Sequence, residues 1–218
     1  MKHILIAGAS GMVGGELLAL ALADTHITGI TSLVRRPSGQ AHAKLTEVVV
    51  ADFSDYTAHS EVFQNIDAAF FCIGAYTGQL PDAQFKALTV DYAVAFGKQL
   101  QMGSPQARLC LLSGAGADRS KKSRTAFARY KGMAENQLSA LDLEFYSFRP
   151  GYIYPVRPRN EPNLMYKISR GLYPLIKMFG IKYSIPSTHL AQAMLTVGLN
   201  GHGQEILENI DIADLTGG

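Results

Sequence analysis

Three glycines near the start of the chain constrain its fold more than any other feature of the sequence. Gly8, Gly11 and Gly14 directly follow an apolar run at His3–Ala7, and they open an apolar stretch of helical length at Met12–Ala23. In a strand–turn–helix unit, one glycine permits the tight turn, a second lets the backbone approach a diphosphate, and a third lets the helix pack closely on the strand. The pattern predicts a dinucleotide-binding loop. The alternative is that the glycines serve only the turn.

The start of the predicted helix supplies the groups that bind the phosphates. Free backbone N–H groups and the partial positive charge of a helix N-terminus attract anions. Besides the three glycines, we therefore expect Ser10, Met12 and Val13 to contact the cofactor.

Apolar runs of strand length alternate with longer amphipathic stretches over residues 1–150. The predicted strands are His3–Ala7, Ile27–Val34, Glu47–Ala51, Ala68–Ile73, Arg108–Ser113 and Glu144–Arg149, and the predicted helices are Met12–Ala23, His59–Gln64, Asp82–Met102 and Ser123–Leu141. Near-continuous apolar strands are typical of a parallel sheet that helices cover on both faces. The order predicts an α/β fold, namely a Rossmann-type doubly wound parallel sheet with right-handed crossovers.

The pattern changes after residue 150, where prolines mark a long irregular connection. Beyond it we expect helices at Leu164–Phe179 and Thr188–Leu199 and a strand at Gly203–Leu207. We interpret residues 1–218 as one domain, with a cofactor-binding core over 1–150 and a substrate-side extension over 151–218.

Composition and charge exclude several classes of partner. The formal net charge is only +2, so the basic segment 119–131 is interpreted as a loop over the active-site mouth and no nucleic-acid partner is expected. No segment approaches the ~18 apolar residues of a membrane span, so no membrane partner is expected. The six histidines lack the spacing of a metal site. A small-molecule substrate is expected, and both a monomer and a homodimer fit.

Cysteine usage and the N-terminal segment bear on the compartment. The two cysteines, Cys72 and Cys110, lie in apolar runs, which favours a reducing environment over a disulfide framework. The first apolar stretch is broken by glycines and by Glu16, which argues against a secretory signal. We therefore expect a cytoplasmic location.

Short motifs follow one another in a characteristic order over nearly the whole chain. They are Gly8–Gly14, Leu33–Arg36, Asp52–Phe53, Cys72–Gly74, Leu112–Ser113, Tyr130–Gly132, Phe148–Gly151 and Ile185–Ser187. Together they resemble the short-chain dehydrogenase/reductase superfamily in its atypical or extended, epimerase-like branch. They are most similar to the Tat-interacting-protein-like, NmrA-like group of NADP-binding reductases. The resemblance implies a Rossmann fold and a nicotinamide cofactor.

Two arginines follow the second predicted strand, where the choice between NAD(H) and NADP(H) is made. An acid about 20 residues beyond the glycine loop would bind the ribose 2′-hydroxyl of NAD. The chain instead has Arg35 and Arg36 there, and no acid lies between Gly29 and Ala43. Because guanidinium groups form bidentate hydrogen bonds to phosphate, the sequence predicts a preference for NADP(H). The alternative is a solvated basic pair at a strand end.

The resemblance implies further cofactor contacts. Asp52 matches the superfamily position that holds the adenine amino group, and Phe53 would lie beside the adenine ring. An aspartate directly after a strand is also a common turn residue. Cys72 and Gly74 belong to the strand end that passes along the adenine ribose, and Pro150 belongs to the motif Phe148–Gly151.

The superfamily's chemistry uses a serine, a tyrosine and a lysine four residues after the tyrosine. The resemblance implies that Ser113 orients a substrate carbonyl and that Lys131 binds the nicotinamide ribose, but the tyrosine position is Phe127. Tyr130 is the candidate proton donor, although helix neighbours point about 100° apart. The alternative for Tyr130 is a packing role. Other candidate donors are Tyr76, Tyr152 and Tyr154.

Two functions from different classes fit these features. Ser113 and Lys131 favour an NADP(H)-dependent oxidoreductase that acts on a small carbonyl-type substrate. Phe127 favours a non-catalytic NADP(H)-binding redox sensor or interaction module, since its ring cannot donate a proton.

Overall fold

The computed structural model of the chain describes residues 1–75, 78–156 and 183–217. Its strands are β1 (Lys2–Ala7), β2 (Ile27–Val34), β3 (Leu45–Val49), β4 (Ala68–Phe71), β5 (Arg108–Leu112), β6 (Glu144–Arg149), β7 (Tyr152–Tyr154), β8 (Ser184–Pro186) and β9 (Ile206–Glu208). Its helices are α1 (Met12–Ala23), α2 (Asp82–Lys86), α3 (Tyr92–Gly103), α4 (Ala126–Ser139), α5 (Ser187–Asn200) and α6 (Asn209–Asp214). A 3-10 helix spans Thr57–Phe63, and a π-helical turn, Ala87–Asp91, joins α2 to α3.

Seven strands form one parallel sheet in the order β3-β2-β1-β4-β5-β6-β9. This order confirms the predicted α/β, Rossmann-type doubly wound fold. From β1 the strand order proceeds through β2 to β3 in one direction, and it then resumes with β4 on the other side of β1 and continues in the opposite direction. In open sheets of this kind, ligands bind beyond the carboxyl ends of the strands at that switch point.

The core lies on both faces of the sheet, because successive strand residues point in opposite directions. Phe70 packs on the face covered by α1 and α5, and Phe71 packs on the face covered by α3 and α4. Both rings are buried, and replacing either with alanine is expected to cost about 3–5 kcal/mol. Two-sided burial explains why the strands read as continuous apolar runs.

The two short strands after β6 were not predicted from the sequence. β7 pairs with β8 in parallel, away from the large sheet. A Cβ on Gly151 would lie 2.4 Å from the carbonyl oxygen of Tyr183, so glycine is required where these segments cross. The predicted helix Leu164–Phe179 lies outside the described residues. The proposed division of the chain at residue 150 stays a prediction, although β9 and α5 join the same sheet and core.

None of the helices in the described ranges is both long enough and apolar enough to cross a bilayer.

Candidate cofactor and active site

Close backbone contacts build the glycine loop between β1 and α1. Gly8 has a φ of +95°, and a Cβ there would lie 2.8 Å from the carbonyl carbon of Cys72 after β4. A Cβ on Gly14 would lie 2.2 Å from the carbonyl oxygen of Gly8. A side chain at Gly8 would separate the loop from β4, and one at Gly14 would separate α1 from the loop.

The N-terminus of α1 is open to an anion. Gly11 is the N-cap, no side chain of the described residues caps it, and the first turn contains no acid. The N–H groups of Met12 and Val13 have no intrahelical acceptor at this position. Ser10 is exposed beside them. This cradle of glycines and free N–H groups fits the diphosphate of a dinucleotide.

A cleft of about 660 Å³ extends from this loop along the end of β2. It is lined by Ala9, Ser10, Leu18, Val34, Arg35, Arg36, Pro37, Ser38, Gln40, Glu47, Val50 and Ala51. Both arginine side chains are exposed, and neither forms an ion pair with any residue of the described ranges. Two guanidinium groups are therefore available to an anionic ligand in this cleft.

Asp52 and Phe53 are placed by local structure. The carboxylate of Asp52 accepts hydrogen bonds from the backbone N–H (2.8 Å) and hydroxyl (2.6 Å) of Ser54, which lower its pKa. The ring of Phe53 is buried and packs on Tyr56 and Tyr92 with centroid distances of 6.0 and 6.1 Å. Both residues thus have structural roles, and their contacts with adenine stay predictions.

Three further predicted cofactor residues lie at strand ends. Cys72 donates its backbone N–H to Ala7 at 2.8 Å, and burial raises the pKa of its thiol to about 12. Gly74 is exposed, with open space where a side chain would start. Pro150 is buried, and its carbonyl accepts the N–H of Ala115 at 2.9 Å. Only Gly74 of the three is freely accessible.

The structure brings Lys131 to the carboxyl end of β5. Its Nζ donates to the carbonyl oxygen of Leu112 at 2.8 Å, and Ser113 is the next residue. The side chain is 7% exposed. Burial lowers the pKa of Lys131 to about 8, while the charge of Glu135 acts in the opposite direction. The ammonium is therefore held beside Ser113 in a poorly solvated position.

Glu135 was not predicted as a site residue, yet it organises this region. Its carboxylate is fully buried and accepts hydrogen bonds from Ser113 (2.6 Å) and Ser147 (2.8 Å). Arg149 donates through Nε at 3.0 Å and Nη2 at 2.5 Å, and Arg119 donates through Nε at 3.0 Å. We call these five residues the Glu135 network.

Charge compensation keeps Glu135 ionised. Burial alone would raise its pKa, but hydrogen bonds from Arg149, Ser113 and Ser147 lower it to about 2. The Ser113 hydroxyl consequently directs its hydrogen bond to Glu135 and not into the site. The available signal in the sequence was spacing, because Glu135 lies four residues after Lys131 on the same face of α4.

Tyr130 and Lys131 are directed to different partners. The hydroxyl of Tyr130 donates to Asp82 at 2.6 Å, and its ring contacts Phe85 of α2. The hydrogen bond to Asp82 raises the pKa of Tyr130, which makes it a weaker acid. The structure thus does not bring this hydroxyl to Lys131, and the catalytic assignment of Tyr130 stays a prediction.

Phe127, four residues before Lys131, faces the end of β5. A Cβ on Gly114 would lie 2.6 Å from Cζ of the Phe127 ring. The ring therefore covers the backbone directly after Ser113.

The remaining candidate donors are placed as follows. Tyr152 and Tyr154 are half-buried on β7, and Tyr152 donates its backbone N–H to Tyr183 at 2.9 Å. Tyr76 lies outside the described residues.

The basic segment 119–131 is less free than the sequence suggested. Arg119 is tied to Glu135 and Glu205, and Arg129 donates to the carbonyl oxygens of Ser123 and Arg124. In the predicted basic loop, Arg119 and Arg129 are therefore bonded within the fold, whereas Lys121, Lys122 and Arg124 are exposed.

The glycine cradle, the arginine-lined cleft and the buried lysine agree with a comparison against protein families. A family model described as NAD(P)H-binding matches residues 8–197. The chain belongs to this NAD(P)H-binding family. A curated relative, "Protein fmp52, mitochondrial" of Emericella nidulans, is 30% identical over 171 residues, which cover 74% of this chain and 71% of that protein.

Solved structures share the fold. The Bordetella bronchiseptica enzyme WbmG in complex with NAD has a TM-score of 0.70 at 16% identity and covers 99% of this chain and 78% of its own. A short-chain dehydrogenase/reductase from Saccharomyces cerevisiae has a TM-score of 0.71 at 13% identity, with 99% and 100% covered. At these identities the two structures show that the Rossmann-type fold is shared. The finer similarity to the Tat-interacting-protein-like group stays a prediction.

The expected cytoplasmic location is contradicted by the relatives. Proteins of Aspergillus clavatus and Aspergillus fumigatus, 27% and 29% identical, carry the same name as the Emericella nidulans protein, and all three are named as mitochondrial. These names point to mitochondria rather than the cytoplasm. The expectation rested on two cysteines in apolar runs and on the argument against a secretory signal, and neither distinguishes one reducing compartment from another.

Proposed function

We propose that the chain is an NADP(H)-dependent oxidoreductase that acts on a small carbonyl-type substrate. Lys131 carries this proposal, because its buried ammonium lies beside Ser113 at the edge of the sheet where the glycine loop also lies. When bound, the nicotinamide cofactor would supply the hydride. The chain's own residues would bind the diphosphate at Gly8–Gly14 and the nicotinamide ribose at Lys131.

The cleft at the end of β2 supports NADP(H) over NAD(H). Arg35 and Arg36 line it with exposed guanidinium groups that have no ion-pair partner among the described residues. A 2′-phosphate carries about −1.5 to −2 charges near neutral pH, which paired guanidinium groups stabilise.

Lys131 is also the best placed of the three predicted catalytic side chains to give a proton. The hydroxyl of Ser113 donates its hydrogen bond to Glu135, and the hydroxyl of Tyr130 donates its hydrogen bond to Asp82. The pKa of about 8 at Lys131 is close to neutral pH, where general acids are most effective. The ammonium would thus replace the phenol that Phe127 lacks.

Measurements of NADPH consumption with small aldehydes, ketones and quinones test this function. Wild type should consume NADPH only when a carbonyl substrate is present. Lys131→Met should lower the rate at least about 100-fold, the typical contribution of a general acid. Lys98→Met removes an exposed lysine of α3 and should leave the rate unchanged. The absence of turnover with NADPH binding intact would contradict an oxidoreductase.

A non-catalytic NADP(H)-binding sensor is the second candidate, and Phe127 favours it. The Phe127→Tyr variant restores the superfamily spacing and keeps the ring. If wild type binds NADPH without turnover and Phe127→Tyr gains reductase activity, the sensor hypothesis is supported. Turnover by wild type at a rate similar to that of Phe127→Tyr would contradict it.

A further inference from the structure

A carboxylate enters the cofactor cleft from β3. Glu47 pairs with Ser32 of β2 in the parallel register, and it lines the same cleft as Arg35 and Arg36. The segment after β2 contains no acid, so this carboxylate reaches the cleft through strand pairing and not through local sequence order.

Glu47 is held in place by one hydrogen bond. The backbone N–H of Ser38 donates to Glu47 Oε2 at 2.9 Å, and the side chain is half-buried. Because Ser38 closely follows Arg36, this bond fixes the segment that carries the two arginines. In the described ranges, Glu47 Oε1 accepts no hydrogen bond. One carboxylate oxygen therefore remains available within the cleft.

The cleft thus combines groups that favour different cofactors. NAD(H) and NADP(H) differ only at the adenosine 2′ position, which carries a hydroxyl in the first and a phosphate in the second. A carboxylate accepts a hydrogen bond from the hydroxyl and repels the phosphate, whereas a guanidinium attracts the phosphate. Arg35 and Arg36 oppose Glu47 in this respect.

We propose that Glu47 is a specificity-determining residue that narrows the preference for NADP(H) over NAD(H). This inference rests on the proposed function, since it requires Arg35 and Arg36 to face the 2′ position. Glu47 weakens NADPH binding by repulsion and supports NADH binding through its free oxygen. The chain is consequently able to use both cofactors, with a moderate preference for NADP(H).

Calorimetric titration of NADPH and NADH against wild type and Glu47→Gln tests the role of Glu47. Glutamine has nearly the same shape and keeps a carbonyl oxygen for the N–H of Ser38. We expect NADPH to bind about five-fold more tightly and NADH about five-fold more weakly, the scale of charge interactions in partly exposed positions. The NADPH gain should shrink in high salt, which screens the repulsion. Glu61→Gln, an exposed carboxylate outside the cleft, should change neither affinity.

An unchanged ratio of NADPH to NADH affinity in Glu47→Gln would overturn the proposal. Unchanged affinities, or an equal loss for both cofactors, would show that Glu47 only fixes the segment at Ser38. Arg35→Ala tests the proposed function separately and should weaken NADPH binding about 10- to 100-fold, as for a lost hydrogen bond between charged groups. If Arg35→Ala leaves NADPH binding unchanged, the proposed cofactor preference fails whatever the result at Glu47.

Discussion

At the scale of single residues, Lys131 carries a positive charge in a buried position, and its hydrogen bonds are therefore sensitive to pH. The residue is 7% exposed, and its pKa is lowered to about 8 because burial disfavours the charged form. The proton is therefore present at neutral pH and lost in mildly alkaline solution.

The protonation of Lys131 predicts the pH dependence of cofactor binding. If Lys131 binds the nicotinamide ribose as proposed, the charged ammonium is the form that favours binding, because all its N–H groups are donors. NADPH affinity should therefore fall about ten-fold between about pH 7 and about pH 9. The 2′-phosphate, with a second pKa of about 6, is already mostly ionised at pH 7 and contributes little over this range. Titrations at several pH values should show this fall in wild type and a flat, weaker profile in Lys131→Met. A fall of equal size in Lys131→Met would assign the titration to another group.

A hydroxyl that already has a carboxylate partner makes a poor proton donor, and Tyr130 is such a case. Tyr130→Phe keeps the ring against Phe85 and removes only the hydrogen bond to Asp82. We expect a small loss of thermal stability and a reductase rate within about three-fold of wild type. A general acid would instead account for ~10²–10⁴ in rate. A rate loss of that size in steady-state assays would restore Tyr130 as the donor.

At the scale of elements, the contact between α1 and its preceding loop shapes the proposed phosphate site. Gly14→Ala would place a Cβ 2.2 Å from the carbonyl oxygen of Gly8, a contact that backbone movement alone can relieve. We expect a loss of about 2–3 kcal/mol in the free energy of unfolding and at least a ten-fold loss of NADPH affinity. Urea denaturation and calorimetry measure the two effects.

Gly15→Ala is the matched control for the same helix. Its Cβ would meet only the carbonyl oxygen of Ala9, at 3.3 Å, and alanine favours a helix over glycine by about 1 kcal/mol. We expect stability and NADPH affinity close to wild type. If Gly15→Ala is as damaging as Gly14→Ala, close packing at Gly14 is not what builds the site.

Most elements of the large sheet could be predicted from the sequence. Two-sided burial makes the strands continuous apolar runs, and glycines or prolines mark the turns between them. The strand predicted at Glu47–Ala51 instead spans Leu45–Val49, since each of its residues is exposed or half-buried at the sheet edge, which weakens the apolar signal. The strands β7 and β8, each three residues long, and the short helix α6 left no periodic pattern at all.

The candidate site residues likewise divide into those that the sequence could predict and those that it could not. The glycine loop and the arginine pair are contiguous in sequence, and so they could be recognised before the structure was known. Glu135 and Glu47 act on residues that are distant in sequence and are brought near by strand pairing and helix packing. Neither role could be derived from order and spacing alone.

At the scale of the whole molecule, the Glu135 network links α4 to β5 and β6, and Arg149 and Arg119 extend it to Glu208 and Glu205 near β9. A single buried carboxylate thus joins the cofactor-binding part of the sheet to its last strand. The stability of the fold is consequently coupled to the ionisation of Glu135.

Acid should weaken the molecule through this carboxylate. The pKa of Glu135 is about 2 in the folded chain and 4.5 as its ordinary value, so its stabilisation is complete above pH 4.5 and is lost as pH falls toward 2. Glu135→Gln should lower the free energy of unfolding by about 3 kcal/mol at neutral pH. Near pH 3, this loss should be smaller by about 2 kcal/mol. Urea denaturation at both pH values measures this.

Glu144→Gln provides the comparison for Glu135→Gln. It removes a carboxylate from the half-exposed pair with Arg108, and such pairs contribute at most about 1 kcal/mol. A loss in Glu135→Gln that is the same at both pH values would mean that packing, and not ionisation, explains the stabilisation.

The position of β9 at the end of the sheet also has a consequence for biosynthesis. β6 pairs with β5 on one side and with β9 on the other, and β9 follows it only after the long segment that contains α5. As the chain leaves the ribosome, β1 to β6 can assemble while the outer edge of β6 still lacks its partner. An unpaired edge invites pairing with other chains, so aggregation is most favoured in the interval before β9 has been synthesised.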